Sequence, residues 1–578
     1  MKTIDCKKIY SGICLLLSIV LTGAATGCES LDDSITSDPY GGGKEALGIK
    51  LSAESPTPAS GYPGDTVVFK AEGLAEWYDS EKKEYRFKFY MGEVETLVQS
   101  ATDTTLTVVV PENLSTGITY LVLQNQVFYG PTFPVLGNLT VDKDYGLYER
   151  GASAVIYDYL ESKNAADAHN FYFAGGFTSV GEVKSRYGIA LVDNRGNVAG
   201  NNTTHFGITQ GLIVTDFSYT QEIYIASISY FDDGQMLVSG SFSNYESKNK
   251  NNSLVKNYIN TNNIAVLEKN AFPDTVQYNF DETLSSTGKY TPIGVSAFNG
   301  GTKQPIIRSF ITKDQKVIAV GNLAQYCCNV YGRWYEQTVE TILPVTSAIR
   351  MSRTGELDKT YRSTENGYTG ATGGSIADAY MDEEDGVVLV GDFTSFDGVK
   401  AAGIVRLDAD GNVDKVFMSN IGSGPNGDVT MVRYNKSLHK AMIVGGFTAC
   451  NGQARQNVAM LNRDGTLDEA FAPHLFEGGA PTFASLIDKG KIVVSGTFTR
   501  YDGIPRQGFL VLNMDGNAVQ RFNVPGPFSG QLQQVVETET TVGNYGLLLM
   551  GDFYRFNGQF ANNILMLEAD FDDEEGDR

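Results

Sequence analysis

Hydrophobic and polar positions alternate in short runs along most of this chain, and the runs come in sets. In one set, Val429-Thr430-Met431-Val432-Arg433-Tyr434 is followed by a polar turn and then by Ala441-Met442-Ile443-Val444-Gly445-Gly446-Phe447. A turn ending in Asn451-Gly452 comes next, as suits a reversal that needs positive φ. Val458-Ala459-Met460-Leu461 is a third run, and Asn462-Arg463-Asp464-Gly465 turns into a fourth, Leu467-Asp468-Glu469-Ala470-Phe471. Runs this short, bounded by Gly, Asn and Asp, predict strands rather than helices. The set recurs with a marker phrase: Gly391-Asp392-Phe393-Thr394-Ser395-Phe396-Asp397-Gly398, Gly446-Phe447-Thr448-Ala449-Cys450-Asn451-Gly452, Gly496-Thr497-Phe498-Thr499-Arg500-Tyr501-Asp502-Gly503 and Gly551-Asp552-Phe553-Tyr554-Arg555-Phe556-Asn557-Gly558. Looser copies centre on Phe177, Phe242 and Leu323. Such self-similarity predicts a repeat architecture over residues 142–578.

Four short strands per unit with Gly at the turns is the pattern of a β-propeller blade, and seven copies predict about seven blades. The glycines beside the marker Phe suit a narrow centre where strands crowd. The repeat resembles the delta-60 family of β-propellers, most closely in its last four copies. Residues 48–141 are patterned differently. Thr66-Val67-Val68-Phe69 and Leu106 to Val110 are apolar runs, and Tyr85-Arg86-Phe87-Lys88-Phe89 alternates as a half-buried strand does. With Ser55-Pro56, Gly61, Gly64-Asp65-Thr66-Val67, Gly73-Leu74, Gly92, Val108-Val109-Val110-Pro111 and Gly117, this stretch resembles the IPT/TIG family of immunoglobulin-like domains. The expected fold is all-β: an immunoglobulin-like sandwich followed by a seven-bladed propeller.

The first residues read as an export signal. Lys2, Lys7 and Lys8 precede an apolar stretch, Ile13 to Leu21, too short to span a membrane. Ala25-Thr26-Gly27-Cys28 resembles the lipobox of bacterial lipoproteins, with Ala25 where the family usually has Leu. The resemblance implies cleavage after residue 27, a lipid on Cys28 and a flexible tether over 28–47. The anchor would hold the protein at a membrane without spanning it. The acidic stretch Glu29-Ser30-Leu31-Asp32-Asp33 resembles the tag that sends some lipoproteins to the outer face of the outer membrane.

The formal net charge of −23 argues against nucleic acid as a partner, since there is no basic excess to displace counterions. Past Cys28 only Cys327, Cys328 and Cys450 remain, too few for a disulfide framework. Cys327 and Cys328 form either a vicinal disulfide or buried thiols. The four histidines show no zinc-ligand spacing, and no metal or cofactor is expected. Gly422-Ser423-Gly424-Pro425-Asn426-Gly427 matches G-x-G-x-x-G, but a strand follows it rather than the helix a nucleotide fingerprint needs. Asp408-Ala409-Asp410-Gly411-Asn412 resembles part of a calcium loop, yet equivalent turns recur at Asn462 and Asn513, so turn chemistry explains it. Asp382-Glu383-Glu384-Asp385 reads as a solvated hairpin turn. No nucleophile–base constellation stands out, and the chain is expected not to be an enzyme.

The copies differ in one loop. From the marker Phe to the third strand is ten residues at Phe393–Gly403, Phe447–Asn457, Phe498–Gly508 and Phe553–Asn563, and eleven at Phe177–Gly188. It is twenty-one at Phe242–Asn263 and twenty-four at Leu323–Ser347. Equivalent loops emerge at the same end of a propeller, so the two insertions should stand side by side and mark a binding face. The longer one carries Tyr326, Tyr331, Arg333, Trp334 and Tyr335. Its rings either stack on a sugar or anchor a peptide, or else form the loop's own small core.

Together these parts resemble the accessory surface lipoproteins of starch-utilisation-type (SusC/SusD-like) importers. The resemblance implies a non-catalytic lipoprotein that binds a glycan, or another nutrient, for a TonB-dependent transporter. The alternatives are a docking subunit of the importer complex and a propeller glycoside hydrolase or lyase.

Overall fold

The computed structural model describes residues 46–163, 169–200, 205–209, 222–248, 257–278, 293–331 and 339–571. The export signal, Cys28, most of the tether, Arg333, Trp334, Tyr335 and the acidic tail lie outside the described residues.

Two four-stranded sheets form the N-terminal sandwich. One orders Lys50–Leu51, Thr66–Glu72, Thr105–Val109 and Val98–Ala101; the other orders Gln126–Phe133, Gly117–Leu123, Lys88–Met91 and Val94–Thr96. Their inward residues, including Val67, Phe69, Phe89, Leu106, Val108, Leu121 and Phe133, make one core, and Phe69 touches both Phe89 and Phe133. The alternation read from Tyr85–Phe89 has a local exception: regular pairing starts only at Lys88, because Glu84–Tyr85 belongs to a separate short hairpin with Tyr78–Asp79.

Among the described residues, and beside smaller hairpins and sheets, the repeats form seven main sheets. Their first strands are Ile156–Glu161, Tyr224–Tyr230, Arg308–Ile311, Ile376–Met381, Val429–Asn435, Pro481–Leu486 and Ser529–Glu539. Each first strand packs on the next, and the last packs on the first, so the sheets close into a ring with these strands innermost. They are called sheets 1 to 7 below. The second strands of sheets 1 to 4, such as Val387–Gly391, are buried at every position because each sheet is sandwiched between two others. The marker Phe (Leu323 in sheet 3) is buried in all seven copies.

The marker Gly is required by close approach; in the fifth copy the crowded glycine is Gly445, not Gly446. A Cβ on Gly391 would lie 1.9 Å from the Ser375 carbonyl oxygen, and one on Gly551 would lie 2.3 Å from that of Gln531. Here the chain entering each first strand crosses the end of the second. The Asp397-Gly398 turn has φ of 49° and 76°, the left-handed pair expected of a tight hairpin.

Two features depart from the sequence expectation. In sheets 1 to 6 the fourth strand shrinks to a single bridge, as at Leu407 with Val413 and Leu461 with Leu467. In sheets 2 to 5 an Asp follows the bridge, and in sheets 4 and 5 its contacts supply the reason. Asp414 pairs with Arg406 and caps Val416 and Phe417, while Asp468 pairs with Lys440 and accepts from Ala470, so the chain turns away after one contact. Secondly, Leu139–Val141, expected to end the sandwich, pairs with Ile564–Ala569 and gives sheet 7 a full fourth strand. That pairing locks the ring's start to its end. The calcium-like turn is held by turn chemistry, as expected, since Asp408 Oδ1 accepts from the amides of Asp410 and Asn412.

The sandwich is fastened to sheet 6. The Arg506 side chain, 6% exposed, donates to the Asn113 carbonyl at 3.0 Å and to Ser115 Oγ at 3.2 Å. Ser115 Oγ donates to the Asn523 carbonyl, the Thr116 amide donates to the Val524 carbonyl, and Arg500 pairs with Glu93. The Val524 side chain joins the sandwich core.

Candidate functional site

Each first strand starts at one end of the ring and finishes at the other. Near its start, six of the seven carry a bulge at the same register, one extra residue opposite the second strand. The extra residues are Tyr157, Ala226, Ala377, Thr430, Thr482 and Gln533, with Ile307 at the matching place in sheet 3. A bulge re-aims the side chain it carries, and these converge on the ring's axis. Their sizes are unequal: Tyr157 and Gln533 are long, while Ala226, Ala377 and Thr430 are short. The result is an off-centre cup of about 280 Å³ lined also by Tyr224, Met431 and Gln531. The Tyr157 and Tyr224 rings meet at 5.2 Å.

The next residue along each strand is Asp158, Ser227, Arg308, Asp378, Met431, Phe483 and Gln534 in turn; Arg308, Asp378 and Met431 floor this cup. Arg308 and Asp378, in neighbouring sheets, pair at 2.9 Å through Arg308 Nε. Arg433 of sheet 5 donates from Nη1 to Asp378 Oδ2 at 2.5 Å and from Nε to the Gln533 carbonyl at 2.9 Å. The amides of Val432 and Ala379 also donate to Asp378. This bar of charges crosses the axis. Beyond it a second cup of about 410 Å³ opens at the other end of the ring.

Two carboxyls in this centre are shifted in opposite senses. Burial alone would raise Asp378, but Arg308, Arg433 and the Val432 amide outweigh it and hold the carboxyl below its ordinary value. Asp158 is raised, because burial dominates; the charge of Arg308, which forms no ion pair with it, and the Ile228 and Tyr159 amides only partly oppose the shift.

The long hairpins stand at the end of the ring that holds the smaller cup. Asn244–Lys248 and Asn257–Asn260 from sheet 2 join Arg186–Tyr187 and His205–Thr209 in a four-stranded sheet. Gln325–Val330 and Val339–Pro344 form the hairpin of sheet 3. Between them lies a further hairpin, Thr275–Tyr278 with Ile293–Ser296, which packs on Asn257–Asn260. Tyr278 joins it to the sheet 3 hairpin: its hydroxyl donates to the Tyr331 carbonyl at 2.9 Å and the two rings meet at 5.1 Å.

Of the residues expected to bind ligand, Tyr326 is corrected by the structure. It is 3% exposed, its ring sits in the core beneath the hairpin, and its hydroxyl donates to the Gly355 carbonyl at 2.9 Å. It holds the hairpin down and has no free face. Tyr331 is half-buried against Tyr278. Arg333, Trp334 and Tyr335 are outside the described residues. Cys327 and Cys328 are free thiols, and burial pushes Cys327 up to about 12. Among the described residues no cluster of His, Cys, Asp or Glu fit to hold a metal is present.

The axial residues Tyr157, Tyr224, Thr430, Gln531 and Gln533 were not singled out from sequence. Aligning the bulge position of each first strand would have found Tyr157, Thr430 and Gln533: that column reads Tyr, Ala, Ile, Ala, Thr, Thr, Gln, while the buried column before it is apolar throughout.

Comparisons with known proteins agree with the architecture. The chain matches a domain of unknown function (DUF5008) over residues 24–131 and another (DUF5124) over 135–233. It matches the DUF5122 β-propeller domain of unknown function over 384–417, 441–471 and 490–518. The chain carries a β-propeller. No curated protein matches it. Among solved structures it is similar to the WD40 β-propeller domain of Doa1, at 11% identity over 75% of this chain and 98% of that one, TM-score 0.38. It is also similar to an auxiliary nutrient binding protein from Bacteroides thetaiotaomicron VPI-5482, at 11% identity over 90% of this chain and 98% of that one, TM-score 0.27. A protein of unknown function from the same organism gives 12% identity, the same coverage and a TM-score of 0.23. Likenesses this distant assign no ligand to this chain.

Proposed function

We propose that this is a non-catalytic, lipid-anchored outer-membrane protein that binds a neutral glycan at the long-hairpin end of its ring, on behalf of a SusC/SusD-like importer. The observation that carries the reading is the smaller cup. Its wall combines an aromatic pair, Tyr157 and Tyr224, with the amides of Gln531 and Gln533 and the hydroxyl of Thr430. Flat rings stack on sugar faces, and amides and hydroxyls donate to and accept from sugar hydroxyls. The charged groups beneath, Arg308 and Asp378, are engaged with each other. The seven ring sheets are read as seven blades and the sandwich as an IPT/TIG-like module that spaces the ring from its Cys28 anchor.

Isothermal titration of purified protein against neutral oligosaccharides tests the site. Tyr157→Ala and Tyr224→Ala are each expected to weaken binding at least tenfold. Retained affinity in both, together with its loss in Trp334→Ala, would move the site to the hairpin tip. The docking-subunit reading has its own support in the exposed outer face of the sandwich, where Tyr129, 64% exposed, lies beside Val127 and Ile118. It predicts co-purification with importer subunits that persists in the Tyr157 and Tyr224 variants.

A further inference from the structure

The larger cup, at the end of the ring away from the long hairpins, has a different chemistry. Its wall from sheets 2 and 3 is hydroxyl-bearing, with Ser227, Ser229 and Ser309. Its wall from sheets 4 and 5 is aromatic: Tyr380 and Tyr434 stack at 4.5 Å with their planes 11° apart. Arg308, Arg433, Asp158 and Gln534 close the bottom, and Tyr230 and Lys436 stand at the rim.

Most polar atoms here are satisfied within the protein. Ser227 Oγ donates to the Ser309 carbonyl, Ser309 Oγ accepts from Ser239, and the Tyr434 hydroxyl donates to Glu383. Two donors are not, and a third is held only by a long contact. Ser229 Oγ is buried and has no partner among the described residues. Arg308 is engaged through Nε with Asp378 and through Nη1 with the Ala226 carbonyl, and its Nη2 has no acceptor there. Arg433 Nη2 has only a long contact, 3.4 Å, to Gln533 Oε1. Because Asp378 takes one guanidinium on each oxygen, the spare edges of both arginines lie on either side of a single carboxylate. Interior donors without acceptors call for an occupant.

Charge points the same way. Arg308, Arg433 and Lys436 face Asp158 and Asp378, which leaves one positive charge over in a chain whose formal net charge is −23. Guanidinium edges match carboxylates in shape and charge. Asp158, Gln534 and Ser229 offer acceptors and donors for hydroxyls, and Tyr434 offers an apolar surface.

We infer that the larger cup is a second, separate ligand site that takes a hexuronate: a hydroxylated ring whose carboxylate is held by Arg308 and Arg433 and whose hydroxyls meet Ser229 and Asp158. The charge bar keeps it apart from the smaller cup, so the two sites fill independently.

The test is titration of the full purified protein with D-galacturonate and with D-galactose, which differ at one carbon, carboxylate against hydroxymethyl. Saturable binding of galacturonate, at least tenfold tighter than galactose, is expected. Ser229→Val should weaken it about tenfold. Lys436→Ala, an exposed change that leaves the core untouched, should weaken it severalfold and reduce its sensitivity to salt. Tyr157→Ala should leave it unaltered, which separates this site from the one at the other end. No saturable galacturonate binding, equal affinity for galactose, indifference to both Ser229→Val and Lys436→Ala, or loss in Tyr157→Ala would each overturn the proposal.

Discussion

Replacing Asp378 by Asn removes one charge from the middle of the ring and leaves two guanidiniums without it. The Asp378 side chain is 6% exposed, and those of Arg308 and Arg433 are 12% and 10% exposed. Water therefore cannot take the carboxylate's place without opening the structure. Breaking a buried pair by removing one partner costs about 3–5 kcal/mol, chiefly because the remaining charge stays desolvated. The Asn amide adds to this: whichever way it turns, an NH₂ group faces a donor, Arg308 Nε and the Ala379 amide on one side or Arg433 Nη1 and the Val432 amide on the other. The expected loss is about 4 kcal/mol in urea unfolding near pH 7, or on the order of 10 °C in melting temperature. The pH dependence has a definite sign. A carboxyl depressed in the folded state contributes stability above its unfolded pKa, and that contribution is lost as pH falls through the folded value. The gap between the native protein and Asp378→Asn should therefore be widest at neutral pH and narrow in acid. A loss under about 1 kcal/mol, or a gap that widens on acidification, would refute the view that this bar holds the ring together.

Other expectations follow from the packing around single residues. Gly391→Ala places a methyl 1.9 Å from the Ser375 carbonyl, so the first and second strands of sheet 4 must part; a loss of about 2–3 kcal/mol in unfolding is expected, whereas Gly446→Ala, with nothing within 4 Å, should cost less than 1 kcal/mol. Arg506→Ala removes the donor that ties sheet 6 to Asn113 and Ser115, and limited proteolysis should then cut between the sandwich and the ring, near residues 136–138, faster than in the native protein. Burial holds the thiols of Cys327 and Cys450 up at about 12 and about 11, so iodoacetamide at pH 8 should modify both only after unfolding.

Parts of this molecule were legible in the sequence because one physical demand is repeated. The marker Gly and Phe recur since every sheet makes the same crossing and fills the same wedge, and counting from that Phe located the two long hairpins. The fourth strand was misread because Leu467-Asp468 and Val413-Asp414 begin as strands do. What ends them is a cation supplied by another strand, Lys440 or Arg406, which no local pattern reveals. Tyr326 was misread for a related reason. A strand exposes alternate residues, and which face is covered depends on what the hairpin lies on, here the chain around Gly355.

The axial chemistry was hidden more deeply, because it resides in the register between repeats. Arg308 and Asp378 look unrelated seventy residues apart, and each alone is a charged residue in an apolar strand, which in sequence reads as an interruption. Closing the ring puts them at one height on neighbouring sheets, and Arg433 reaches the same carboxylate from the sheet beyond. A repeat protein thus has two kinds of buried position: those where every copy must agree for the sheets to pack, and those facing the axis, where copies are free to differ. In this chain the agreeing positions, the marker Gly and Phe, explain the scaffold. The differing ones, Tyr157 through Gln533 above the bar and Ser229 with Arg433 below it, are where two ends of one ring acquire different chemistries.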